Sequence, residues 1–394
     1  MFRVSGQRRF TVDGDEALEG HLEGVCQRAC EAVQQRVPLR KLEGLLLGGG
    51  YGRGEGGVLC TPDGDLPYFG MKFVVLVRGW AWESRRRFLG GLQEAESALE
   101  AFAGVPVRFW LARTGDLLRP GGSLFCRELC LGHRRILGSP ELMAGAAHSR
   151  FWPGTGPGQA SRLLLCGGAG LLFALERLGR QPFLRADGDA VLRSLAEAQL
   201  AVGDAFLAAH GLYDVSVRER VSLLRRLGCP LELAGVQEMV RHHGEGAAFE
   251  LHPHFCVEPV ELLLSRLRAV LGVLGGVFLW NERRRLNREF PSAEDYARCR
   301  CNKWPRAAGW QSLGLQLCRG RLPGWRQWRE LWRHPRQNLL EALALLLWGR
   351  NSLRDPALQQ WMASKLRAPC RDFGSAVRAF RGLWDRYGCR GRYS

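Results

Sequence analysis

The feature that most restricts what this chain can fold into is Leu47-Gly48-Gly49-Gly50-Tyr51-Gly52-Arg53-Gly54-Glu55-Gly56-Gly57, with seven glycines in eleven residues. Glycine in a helix or strand interior costs about 0.5–1 kcal/mol relative to alanine. Coming straight after the apolar run Leu45-Leu46-Leu47, the stretch therefore reads as a strand that runs into a long turn. Backbone N–H groups left over at such a turn point outward, and with no Cβ in the way they suit phosphate oxygens. Arg53 can add a charge-assisted bond. The stretch lacks the Gly-Lys-Ser/Thr end of a Walker loop. It is not a dinucleotide fingerprint either, because no helix is expected to start directly after the glycines.

The rest of the first 140 residues alternates strands and helices. Residues 2–12 read as an extended arm, and about Asp15 to Arg36 as a helix with acids first and an arginine last, as the helix dipole prefers. Phe73-Val74-Val75-Leu76-Val77 is the clearest buried strand. Trp82 to Ala103 reads as a helix, Val105 to Leu111 as a strand, and Ser123 to Leu137 as a helix by periodicity. This is an α/β pattern. The proline- and glycine-rich stretch Phe151-Trp152-Pro153-Gly154-Thr155-Gly156-Pro157-Gly158 marks a boundary. Beyond it the pattern is helical throughout, over about 159–179, 189–210, 216–228, 258–288, 336–350, 356–366 and 373–387. The expected organisation is an α/β domain over 1–145, a small mixed sheet with helices, and an all-α helical domain over 155–394 that divides near 290–323.

The order of parts from the glycine turn onward resembles a nucleotidyltransferase domain of the DNA polymerase beta superfamily, in its minimal and aminoglycoside-modifying branches. The resemblance covers about residues 40–140. It extends to Arg127-Glu128-Leu129-Cys130-Leu131-Gly132-His133-Arg134-Arg135-Ile136-Leu137-Gly138-Ser139-Pro140, which looks like the helix-then-strand segment that closes such domains. The resemblance implies that the turn holds a nucleoside triphosphate, with Gly49, Gly50, Tyr51 and Arg53 as nucleotide contacts. It implies that the next strand carries two carboxylates two residues apart and a later strand a third, which together hold divalent metals. In Tyr68-Phe69-Gly70-Met71-Lys72 the two positions hold Gly70 and Lys72, and Val105 to Leu111 contains no acid. An ammonium at a metal position repels the cation it replaces. Catalytic residues, bound metal and cofactor are therefore not expected.

The implied function is that of a catalytically impaired relative that binds a nucleotide or other phosphorylated partner at the glycine turn. A first alternative is an active transferase moving a nucleoside monophosphate to a hydroxyl, which would recruit Glu55, Asp63 or Asp65 to bind Mg2+. Asp63-Gly64-Asp65 lies between Pro62 and Pro67, however, and reads as a solvated turn. A second alternative is a non-enzymatic RNA- or DNA-binding protein. Residues 283–336 hold 14 basic residues against four acids, interleaved with Trp304, Trp310, Trp325, Trp328 and Trp332. The last three lie at helical spacing, which also fits a core stripe.

The net charge of +17 invites a nucleic-acid or phosphate partner. Of the 56 basic residues only Lys41, Lys72, Lys303 and Lys365 are lysines, a bias that a G+C-rich genome also produces. The longest apolar segment, Ala269 to Trp280, has the length of a buried helix, and no membrane partner is expected. The first residues have no signal-peptide core, which points to the cytoplasm. With 13 cysteines and no export signal, ordinary buried thiols are expected. These include the pairs Cys26/Cys30, Cys126/Cys130 and Cys299/Cys301 and the His252, His254, Cys256 cluster. His242-His243 is expected at a helix end, and Asp204 mid-helix between apolar neighbours, with a place facing the cleft between the domains as the less favoured alternative.

Overall fold

The computed structural model describes residues 9–118, 124–143, 156–227, 235–304, 334–349 and 354–388. Helix α1 (Glu16–Arg36) starts at Asp15, whose carboxylate accepts the Leu18 N–H at 2.7 Å. Strand β1 (Leu42–Gly48) then runs into a one-turn helix α2 (Gly49–Arg53). A hairpin follows, β2 (Val58–Thr61) and β3 (Gly64–Pro67), before β4 (Met71–Val77), α3 (Ala81–Ala103) and β5 (Val107–Ala112). Short helices α4 (Thr114–Leu117) and α5 (Leu124–Leu131) lead to β6 (Arg134–Gly138).

The main sheet has the order β5-β4-β1-β6. Strands β4 and β5 are parallel, while β1 is antiparallel to both β4 and β6. One face packs Leu45, Leu47, Phe73, Val75 and Phe109 against α1 and α3. The other packs Leu46, Val74 and Leu76 against Leu117 of α4 and Leu129 of α5. Cover on both faces explains why β4 reads as a continuous apolar run rather than an alternation. The outer edge of β5 is closed by α3: Glu100 and Glu96 accept the N–H groups of Val107 and Phe109 at 3.3 and 2.8 Å.

Everything described beyond residue 156 that has regular structure is helical. These elements are α6 (Pro157–Leu178), α7 (Arg185–Ala209), α8 (Val217–Leu227), α9 (Val236–Leu251), α10 (Val260–Leu286), α11 (Ala293–Arg298), α12 (Pro335–Trp348), α13 (Pro356–Leu366) and α14 (Phe373–Tyr387). Helix α12 is buried from Leu339 to Leu347 and forms the middle of this second core. The protein is thus an α/β part with a four-stranded mixed sheet, followed by a largely helical part.

Several expectations need correction. A helix does start at the glycines, α2, but β1 and β4 are antiparallel, which keeps the turn distinct from a parallel dinucleotide-binding unit. Residues 124–138 are helix then strand rather than one helix, as the family resemblance implied and periodicity did not. Asp63 does lie in an exposed turn, as expected, but that turn joins two paired strands of a β-hairpin. His242 and His243 lie inside α9, both buried, and not at a helix end. Helices α6 and α10 are each long and apolar enough to cross a membrane by length and composition, which exceeds the expected limit. Their faces that include Leu164 and Leu165 of α6 and Leu263 and Leu267 of α10 lie in the helical core. The boundary residues 151–155 and the residues from 305 to 333, with four of the five tryptophans of the basic stretch, lie outside the described residues.

Candidate functional site

The glycine turn sits at the carboxyl end of β1. Gly49 has φ +75°, a left-handed conformation that side chains rarely adopt, and a Cβ there would meet nothing within 4 Å. The turn is closed behind Gly50, whose carbonyl accepts the Glu55 N–H at 2.9 Å. Tyr51 points inward and is 2% exposed. Its hydroxyl donates to Gly57 O at 2.9 Å and accepts the Tyr68 N–H at 3.0 Å, so it pins the turn to the segment that enters β4. Burial pushes the Tyr51 phenol up to about 12, opposed in part by the N–H groups of Tyr68 and Phe69. Tyr51 therefore braces the turn from beneath.

Register brings Lys72 to the same end of the sheet as the turn. Lys72 pairs with Gly48 across β1 and β4, and with Arg108 across β4 and β5. It shares the parity of Val74 and Leu76, so it belongs to the face covered by α4 and α5, at the end next to the turn. Gly70 stands just before β4, and a Cβ on it would lie 2.9 Å from the Pro106 carbonyl oxygen. No side chain fits there unless the entry to β5 moves.

The other candidate residues are committed elsewhere. Arg53 lies 3.8 Å from Glu55 and 3.6 Å from Glu250 of α9, with its side chain only 7% exposed. Glu55 accepts the Ser216 hydroxyl at 2.5 Å and the Val217 N–H at 3.0 Å, and so caps the first turn of α8. Two charge-assisted bonds of this kind contribute about 1.5–3 kcal/mol each. Asp63 is on the tip of the β2–β3 hairpin. Asp65 accepts the Asp15 N–H at 2.9 Å, while Asp15 accepts the Asp65 N–H at 3.2 Å. These bonds fasten the hairpin to α1. Glu55 and Asp65 thus serve two separate contacts, and Asp63 is exposed. Among the described residues, no group of three or more His, Cys, Asp or Glu stands ready for a metal.

The helical part meets this end of the sheet through residues that no local pattern singled out. Phe249 packs edge-on to Tyr68 at 5.9 Å, and the Arg193 guanidinium lies 4.9 Å from the same ring. Tyr213, in the loop between α7 and α8, donates to Glu128 of α5. Behind that loop, Asp204 is held by Arg220 Nε at 2.6 Å and His243 Nε2 at 3.0 Å, with all three side chains at most 1% exposed. Arg220 also donates to the Asp214 and Val215 carbonyls at 3.0 and 3.1 Å. Asp204 therefore fixes the loop that reaches the sheet from inside the helical core and does not face the cleft. Trp304 of the basic stretch is 3% exposed and stacks on His334.

No family model, curated protein or solved structure matches the chain.

Proposed function

We propose that the chain is a member of the nucleotidyltransferase superfamily that has lost metal-dependent transfer and binds a nucleotide or another phosphorylated ligand at the glycine turn. On this reading residues 1–145 form the nucleotidyltransferase-like domain and 155–394 its helical partner, with Gly49 and Gly50 offering backbone N–H groups to phosphate. The observation that carries the reading is the register of Lys72 opposite Gly48. On the family resemblance, Lys72 stands where two-metal chemistry would require a carboxylate, and its backbone lies opposite the start of the turn. A protonated lysine offsets phosphate charge without ligating a metal. The steric closure at Gly70 supports the same reading, since the second carboxylate has no room. Arg53 and Tyr51 would then support the turn from behind rather than touch the ligand.

The test is equilibrium binding of ATP and GTP to the full chain, with magnesium and with a chelator. Binding that is indifferent to magnesium and about tenfold weaker in Lys72→Ala is expected, the loss of one charge-assisted phosphate contact. Magnesium-dependent release of pyrophosphate that disappears in Asp63→Ala or Asp65→Ala would overturn the reading in favour of an active transferase. Absence of binding to nucleotides and to inorganic tripolyphosphate would remove the phosphorylated ligand.

A further inference from the structure

The end of the sheet away from the glycine turn carries a different kind of surface. Strands β1 and β4 are antiparallel, so the start of β1 and the end of β4 lie together, with Leu42 opposite Val77. The Arg78 N–H donates to the Lys41 carbonyl at 2.8 Å, which ties the two flanking turns side by side. On these turns Leu39, Trp80 and Trp82 are 70%, 66% and 65% exposed. Three large apolar side chains standing in water at one end of a sheet are unusual for a surface with no partner. At this end of the sheet stand Arg40, Lys41, Arg78, Arg85, Arg86, Arg87 and Arg113 against the acids Glu43, Glu83, Asp116 and Glu141, with Arg78 4.0 Å from Glu43 and Arg85 donating to the Leu111 carbonyl at 3.2 Å. Trp82, Arg85 and Arg86 fall three and four residues apart on α3, and hence on one helix face.

We propose that this end of the sheet docks on a bilayer whose surface carries anionic phospholipid headgroups. Tryptophan is amphipathic and settles at the headgroup level, leucine enters the acyl boundary, and surrounding cations meet the headgroup phosphates and carboxylates. Single-stranded nucleic acid also uses cations and aromatic rings. It gains nothing from Leu39, which has no ring face to stack on and is the most exposed of the three. A neutral protein partner would gain nothing from an excess of seven cations over four acids. The inference is independent of what the glycine turn binds, because the two ends of β1 and β4 are separated by the length of the strands.

The experiment is co-sedimentation of the full chain with phosphatidylcholine vesicles, with and without about one third phosphatidylserine. Binding to the anionic vesicles alone is expected. Trp80→Ala with Trp82→Ala should lower the partition coefficient about tenfold or more. Arg40→Glu with Arg78→Glu should lower it about fivefold for each cation removed. Arg371→Glu, an exposed site on the helical part, should lower it less than twofold. A far-ultraviolet circular dichroism spectrum like that of the parent chain checks that each variant is folded. The proposal is overturned if the chain fails to bind anionic vesicles, or if Arg371→Glu weakens binding as much as the local reversals, which would mark adsorption by net charge. It is also overturned by vesicle binding that ignores the tryptophans, or by tryptophan-dependent self-association or oligonucleotide binding without vesicle binding.

Discussion

The two ends of the same pair of strands have opposite fates. At the glycine-turn end, Arg53, Glu55 and Tyr51 are buried and bonded, and the helical part is fastened over them through Ser216, Val217 and Glu250. At the other end Leu39, Trp80 and Trp82 project into solvent. In both places large or charged side chains cluster on turns between strands and helices, but sequence alone marked only the glycine turn as a binding surface. The difference is whether a later part of the chain has already claimed them. A residue from a glycine-rich turn can be spent on internal assembly, while an ordinary-looking turn remains available.

Substitutions at the two ends should therefore divide sharply in stability. The largest effect is expected just behind the covered end. Arg220→Met leaves Asp204 buried without its cation and should cost about 3–5 kcal/mol in chemical denaturation, because removing one partner strands the other charge. A loss below about 1 kcal/mol would mean that water or His243 compensates Asp204 and that the loop is not held from within. Glu55→Gln keeps the shape of the cap and removes its charge. It should cost about 1–2 kcal/mol and speed amide exchange in the first turn of α8 before the rest of the helix. If exchange there is unchanged, the two parts are joined mainly by the Tyr68–Phe249 contact. At the open end, Trp80→Ala should stay within about 0.5 kcal/mol of the parent chain, as surface changes do. A larger loss would show that the tryptophan supports the fold and that the contrast is weaker than drawn.

Most of the α/β part was legible in the sequence because its elements are long and strongly patterned. Helices α1 and α3 and strand β4 begin and end within a few residues of where caps and apolar runs set them. Strand β6 was not legible by periodicity. Arg134-Arg135-Ile136-Leu137 has too few residues to separate a helical from an extended period, and only pairing with β1 decides it. The extent of helix α9 was missed: His242, His243, Gly244 and Gly246 are weak helix formers, and its burial against α7 outweighs propensity. The candidate site divides in the same way. That Lys72 and the glycine turn share one strand end was implied by the family resemblance alone, and the antiparallel pairing of β1 and β4 is what shows it. That Arg53 and Glu55 are occupied was not implied, because their partners Ser216 and Glu250 lie more than 150 residues away and carry no local sign of the contact.

The cap that Glu55 places on α8 also bears on the order in which the chain matures. Glu55 precedes Ser216 by 161 residues, so during synthesis the sheet is complete well before α8 leaves the ribosome. The carboxylate is then in position when the first turn of that helix needs an acceptor. The earlier part of the chain serves as a mould for the later one, and the helical part made alone must begin α8 with those N–H groups open to water.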